Sequence, residues 1–139
     1  MKLTSAAILL SALFTQTVLA QSTGRVFVTN ERSNTVSVIN GTTHQVEATI
    51  AIGERPRGIG ISPDGSEAYV AISEENKIAV FDPKSLKKLR TFNAGDDPEA
   101  FAVHPNGNIY ISNEDSAKAT VINPKTGVIV AEIPVGIEP

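Results

Sequence analysis

From residue 25 onward, apolar side chains alternate with polar or small ones. Val36 and Val38 share one face of Thr35-Val36-Ser37-Val38-Ile39, and segments 48–52 and 58–61 keep the same two-residue period. No helical period competes with it. Turn residues interrupt these runs every ~10 residues, which is an all-β pattern. The pattern also repeats along the chain. Phe27-Val28-Thr29-Asn30 returns as Tyr69-Val70-Ala71-Ile72 and as Tyr110-Ile111-Ser112-Asn113, first 42 and then 41 residues on. Gly53, Gly95 and Gly136 keep this register, as do Pro56, Pro98 and Pro139, and Asn40, Asp82 and Asn123.

A period near forty built of short strands predicts a β-propeller, in which each unit buries its faces against its neighbours. Each unit reads as four antiparallel strands. The first is 58–61 or 100–103, whose small residues predict a crowded innermost position. A Pro-containing turn follows, Ser62-Pro63-Asp64-Gly65 or His104-Pro105-Asn106-Gly107. The second strand carries the Tyr-Val-Thr-Asn equivalents. The third is 35–40, 78–82 or 120–123, and the fourth is 46–52, 89–94 or 128–135. The one-residue shortening of the last unit falls between Gly107 and Tyr110, in a turn, where length changes cost little. The fold class expected is therefore all-β: a propeller fragment of about three blades, covering 21–139 as roughly 2.9 units.

The first 20 residues carry a different pattern. Lys2 precedes a short apolar run over 6–14, and Val18-Leu19-Ala20 offers a cleavage site, so a secretory signal removed after Ala20 is expected. Thr15, Gln16 and Thr17 leave that run too short to cross about 30 Å of hydrocarbon. Export to the periplasm or beyond follows, with no membrane attachment after cleavage. The 139-residue chain has a net charge of −3, or −4 without Lys2, and no basic block, which argues against nucleic acid as a partner. With no cysteine, it has no disulfide, no thiolate metal site and no Cys-x-x-Cys-His haem attachment.

Candidate chemistry is sparse. Turns after second strands and linkers after fourth strands should share one face of a propeller. They hold Glu31, Arg32, Glu54, Arg55 and Arg57, then Glu74, Glu75, Asp96, Asp97, Glu99, Glu114, Asp115 and Glu138. Of these, Glu74, Glu75, Asp96, Asp97, Glu99, Glu114 and Asp115 form a candidate acidic partner-docking face. Ordinary solvated loops are the simpler reading. The other face carries Lys84, Lys87, Lys88, Lys125 and His44. The carboxylates lack the spacing of a calcium loop, so no metal site is expected. His104 stands beside a turn proline, where hydrogen bonding is a commoner role than catalysis. No serine lies in a Gly-x-Ser-x-Gly elbow. No catalytic and no cofactor-binding residue is assigned. Asn40-Gly41-Thr42 is a formal glycosylation sequon that reads better as a turn.

The succession Phe-Val-Thr-Asn, Thr-Val-Ser-Val-Ile-Asn, Ala-Thr-Ile-Ala-Ile-Gly-x-x-Pro-x-Gly-Ile and Ser-Pro-Asp-Gly resembles the YVTN-family β-propeller repeat. Residues 97–105 and 131–139 are similar to the PQQ-dependent catabolism-associated β-propeller family. That resemblance implies an exported bacterial accessory protein, encoded near quinoprotein alcohol oxidation, with no established activity of its own. It implies a periplasmic quinoprotein dehydrogenase or a cytochrome c as partner, and a full ring of seven blades, of which this chain would be the N-terminal part. The chain departs from the repeat at Ala71-Ile72, which puts a functional role for the asparagine in doubt. Two alternatives stand beside the binding role: a lactonase-like hydrolase with its catalytic residues in further blades, and a haem d1-type propeller. A fragment with open ends would also self-associate. With no tryptophan and no docking repeat, PQQ itself should not bind. Isothermal titration with PQQ, with or without calcium, is expected to give no saturable heat; submicromolar binding would overturn this.

Overall fold

The computed structural model describes residues 24–137 and 139 of the chain. The expected signal segment, its cleavage after Ala20, and Glu138 lie outside the described residues. Among the described residues, eleven strands form three antiparallel sheets. The first sheet is β1 (Arg25–Asn30), β2 (Thr35–Asn40) and β3 (Val46–Ala51), hydrogen-bonded in that order. The second is β4 (Pro56–Ile61), β5 (Ala68–Ile72), β6 (Lys77–Phe81) and β7 (Lys88–Asn93). The third is β8 (Pro98–Val103), β9 (Ile109–Asn113), β10 (Lys118–Asn123) and β11 (Val128–Pro134). These are one three-stranded and two four-stranded propeller blades, as the repeat predicts. A register shift recurs at Val38/Ile39, Val80/Phe81 and Val121/Ile122, the same repeat position in every blade. Such a bulge increases local twist.

The innermost strands begin two residues earlier than alternation suggests, at Pro56 and Pro98. A proline opening a strand removes no donor that the ladder needs. Short 3-10 turns over Glu31–Ser33 and Ser73–Glu75, too brief to show a period, link second to third strands. Both end on a left-handed asparagine, Asn34 or Asn76. Crowding at the innermost strand has a specific cause. A Cβ on Gly60 would lie 2.7 Å from the Phe101 ring of the next blade.

Two apolar seams hold the blades together. Phe27, Val36, Ile50 and Ile52 of the first blade pack on Val70, Ile72, Ala79 and Phe81 of the second. Tyr69, Ile78, Val80 and Phe92 of the second pack on Ile109, Ile111 and Ile122 of the third. Full burial of one such side chain contributes about 1.5–3 kcal/mol. Polar latches close the rim opposite the linkers. Arg25, paired with Glu47 of its own blade, donates to the carbonyls of Pro83 and Lys84. Arg90, paired with Glu67, donates to the carbonyl of Pro124. Pro83 and Pro124 occupy equivalent repeat positions, but the arginine comes from the second strand in one seam and the fourth in the other.

Asn113 is fully buried and pins the linker between the second and third blades. Its amide donates to the carbonyls of Ala94 and Asp96, and its oxygen accepts from Thr120. Gly95, at φ 78°, leaves room for it: a Cβ there would stand 2.9 Å from Nδ2. In the second blade Ile72 fills the equivalent space with carbon. The repeat asparagine is therefore structural. Asn113→Ala strands two carbonyls and the Thr120 hydroxyl, and is expected to cost about 1–3 kcal/mol in denaturant unfolding.

The Ser62-Pro63-Asp64-Gly65 turn is closed by Asp64, which accepts from the Ser62 and Ser66 hydroxyls and from the Ser66 N–H. The Ser62 bond, then the Ser66 bonds, hold the Asp64 carboxyl at about 2, below its ordinary 3.8. Because the folded value is depressed, this contribution is complete above the unfolded value and is lost as pH falls through the folded one. Asp64→Asn is thus expected to lower the melting temperature at neutral pH and to converge with wild type as pH approaches about 2.

Candidate functional site

The linkers between blades are held from both sides. Arg55 N–H donates to Asn34 Oδ1 of the blade behind, and Arg55 C=O accepts from Ser73 N–H of the blade ahead. One repeat later, Asp97 N–H donates to Asn76 Oδ1, and Asp97 C=O accepts from Glu114 N–H. Arg55 and Asp97 both take left-handed backbone, at φ 56° and 40°. This common geometry places equivalent side chains side by side at one end of the blades.

Their charges are opposite. Arg55 and Arg57 of the first linker face Asp97 and Glu99 of the second, the same two repeat positions. Arg57 binds Glu99 and, at 2.8 Å, Glu31. Arg55 reaches Glu31 at 3.2 Å, Glu74 at 3.5 Å, Asp97 at 3.7 Å and Glu99 at 3.9 Å. The Arg55 hydrogen bond is the chief cause that draws the Glu31 carboxyl below its ordinary value. Ser73, the repeat equivalent of Glu31, donates its hydroxyl to Asp97. A shallow hollow of about 290 Å³ opens here between Thr29, Glu31, Arg57 and Glu99.

The acidic residues expected on this face divide into two sets. Glu74, Asp97 and Glu99 are brought together around the arginines. Glu75 is held apart from them, accepting from Glu54 N–H and lying 3.6 Å from Lys77. Asp96, Glu114 and Asp115 form no ion pair among the described residues. Oxygens of Asp97, Glu99 and Glu114 come within 4.8 Å of one another, a convergence that sequence spacing hides because Asp97 and Glu114 lie on different elements. Glu99 Oε1 is buried without a hydrogen bond. Arg55 supplies counter-charge at this point, with Nη1 3.7 Å from Asp97 and Nη2 3.9 Å from Glu99. Grouping loops by face places Arg55 and Arg57 here but does not bring out their pairing with carboxylates one repeat away. Aligning the repeats at 42 residues shows the charge reversal directly.

At the other end, a groove of about 660 Å³ runs between the turns of the second and third blades. Its floor is the Glu67–Arg90 pair, with the Tyr69 hydroxyl donating to Glu67. Burial, reinforced by that carboxylate, pushes the Tyr69 phenol upward. Lys125 lines the groove, whereas Lys88 turns away and donates to the Ile52 carbonyl. His104 accepts from Asn106 N–H through Nδ1 and lies 5.9 Å from the Tyr110 ring. His44 takes left-handed backbone in the β2–β3 turn. Neither histidine joins the linker cluster.

Comparison with known proteins agrees with this architecture. Over 40 residues the chain is 48% identical to the PE-PGRS family protein PE_PGRS18 of Mycobacterium tuberculosis, a stretch covering 29% of this chain and 9% of that one. Hydrazine synthase of Kuenenia stuttgartiensis superposes with a TM-score of 0.76 at 21% identity, over 84% of this chain and 34% of that one. Dihydro-heme d1 dehydrogenase NirN superposes at 0.65 and 21%, over 86% of this chain and 26% of that one. Virginiamycin B lyase of Staphylococcus aureus does so at 0.69 and 16%, over 84% and 40%. The three structural likenesses show a shared propeller fold. The chain spans at most 40% of the length of each of these proteins. Residues 3–136 match the YNCE-like β-propeller family, and the chain belongs to it.

Proposed function

We propose that this chain is a non-catalytic, exported binding propeller whose linker face docks a positively charged protein. One observation carries the reading. Arg55 and Arg57 are consumed by ion pairs within the face, while Asp96, Glu114 and Asp115 are left without a cation. The outward charge is therefore negative. A surface of one sign accelerates encounter with a partner of the other and rejects like-charged proteins. The resemblance to the PQQ-dependent catabolism-associated family supports, as the partner we propose, a basic c-type cytochrome or the quinoprotein dehydrogenase that feeds it.

The test is binding of a basic cytochrome c by surface plasmon resonance across a salt series. Affinity is expected to fall steeply as ionic strength rises. The triple variant Asp96→Asn, Glu114→Gln, Asp115→Asn should weaken binding by about tenfold, or ~1.4 kcal/mol, chiefly through slower association. Salt-independent binding, or a triple variant that binds like wild type, would defeat the proposal.

A further inference from the structure

An asparagine followed by glycine is chemically labile, because the glycine nitrogen has no neighbouring Cβ to hinder its attack on the side-chain amide. The chain holds two such pairs, Asn40-Gly41 and Asn106-Gly107. The fold treats them in opposite ways. Asn40 Oδ1 accepts from the Thr42 and Thr43 N–H groups, and its amide donates to Glu47 at 2.8 Å. Gly41 is crowded: a Cβ there would lie 2.6 Å from the Gly24 carbonyl oxygen. Asn106 makes one side-chain hydrogen bond, its Oδ1 accepting from Asn108 N–H at 2.9 Å, and its amide nitrogen donates to no group among the described residues. Gly107, at φ 90°, has open space where Gly41 has a carbonyl. Asn106 is exposed, and so is Asp64, its repeat counterpart in a blade with a neighbour on either side. The exposure therefore belongs to the turn and not to the place of the blade in the stack.

We infer that Asn106 is a site of spontaneous deamidation in the folded protein, and that Asn40 is protected from it. The Gly107 nitrogen, once its bond to the His104 carbonyl opens and its proton is lost to solvent, attacks Asn106 Cγ. A new N–C bond closes a five-membered imide, and the side-chain nitrogen leaves as ammonia. Water then opens the imide at either carbonyl, so that asparagine and water give an acid and ammonia. The aspartyl product is one that the repeat already accommodates. Asp64 accepts from Ser66 N–H just as Asn106 accepts from Asn108 N–H. The isoaspartyl product instead adds one carbon to the main chain between β8 and β9, next to the Val103–Ile109 pair. Either product puts a new negative charge on the groove that Asp64, Glu67, Arg90 and Lys125 also line. The turn stands at the end opposite the linkers, so the docking face keeps its charge.

The experiment is peptide mapping by mass spectrometry after timed incubation of the purified chain in mildly alkaline buffer, native and urea-unfolded. Both sites have glycine as the next residue, so in urea both are expected to convert at similar rates. In the native chain Asn106 should convert about tenfold faster than Asn40, the effect of some two extra hydrogen bonds on the barrier. Native rates that are equal, or faster at Asn40, would overturn the inference. So would a native Asn106 that stays intact over a period in which the unfolded chain converts at both sites.

Discussion

A sheet that is apolar on both faces cannot be buried by its own blade, and this constraint governs the chain. Val70 and Ala79 of the second blade point one way, and Tyr69, Ile78 and Val80 the other; all are buried, because a neighbour covers each side. Blades with a neighbour on one side only bury one face, and their outward valines and isoleucines stay in contact with solvent. Stability is thus assigned to seams rather than to sheets, as in other one-dimensional arrays.

Polar groups then decide how each seam is set. Apolar contact is non-directional and would tolerate sliding. Backbone groups of Arg55 and Asp97, bonded to one blade behind and one ahead, fix the separation and tilt at the linker end. The arginine latches onto Pro83 and Pro124 fix the opposite end. Asn113 adds a third constraint on the second linker, where the first has Ile72 packed against it, Lys88 on the Ile52 carbonyl and Glu75 on the Glu54 N–H. The face we propose for docking is a by-product of this fixing: the linkers must lie at one end, and their side chains must go with them.

Most of the architecture was legible in the chain because strand alternation and a fixed period are one-dimensional signals. Residues 35–40 and 46–52 could be assigned from their valines and turn flanks alone. The early starts at Pro56 and Pro98 were not legible, since alternation is silent where a proline opens a strand. The 3-10 turns were missed because three residues carry no period. For the linker face, the grouping of acidic loops at one end followed from chain topology, but the engagement of Glu31, Asp97 and Glu99 by arginines did not. That engagement depends on side chains one repeat apart meeting across a seam, which neither local pattern nor loop grouping reveals. The role of Asn113 was obscured in the same way, because Ile72 occupies the equivalent position with carbon while Lys88 bonds the Ile52 carbonyl.

The charge reversal between the linkers gives the repeats an order. Arg55 and Arg57 lie between carboxylates from the blade behind, Glu31, and the linker ahead, Asp97 and Glu99. If the second and third repeats changed places, Glu31 would face Asp97 and Glu99, and like charges would meet at a few ångströms. Repeats with nearly the same apolar code could otherwise stack in any sequence while folding. Their ionic residues act as an address, making one neighbour acceptable and the other costly, so the array carries information about succession that its hydrophobic pattern lacks.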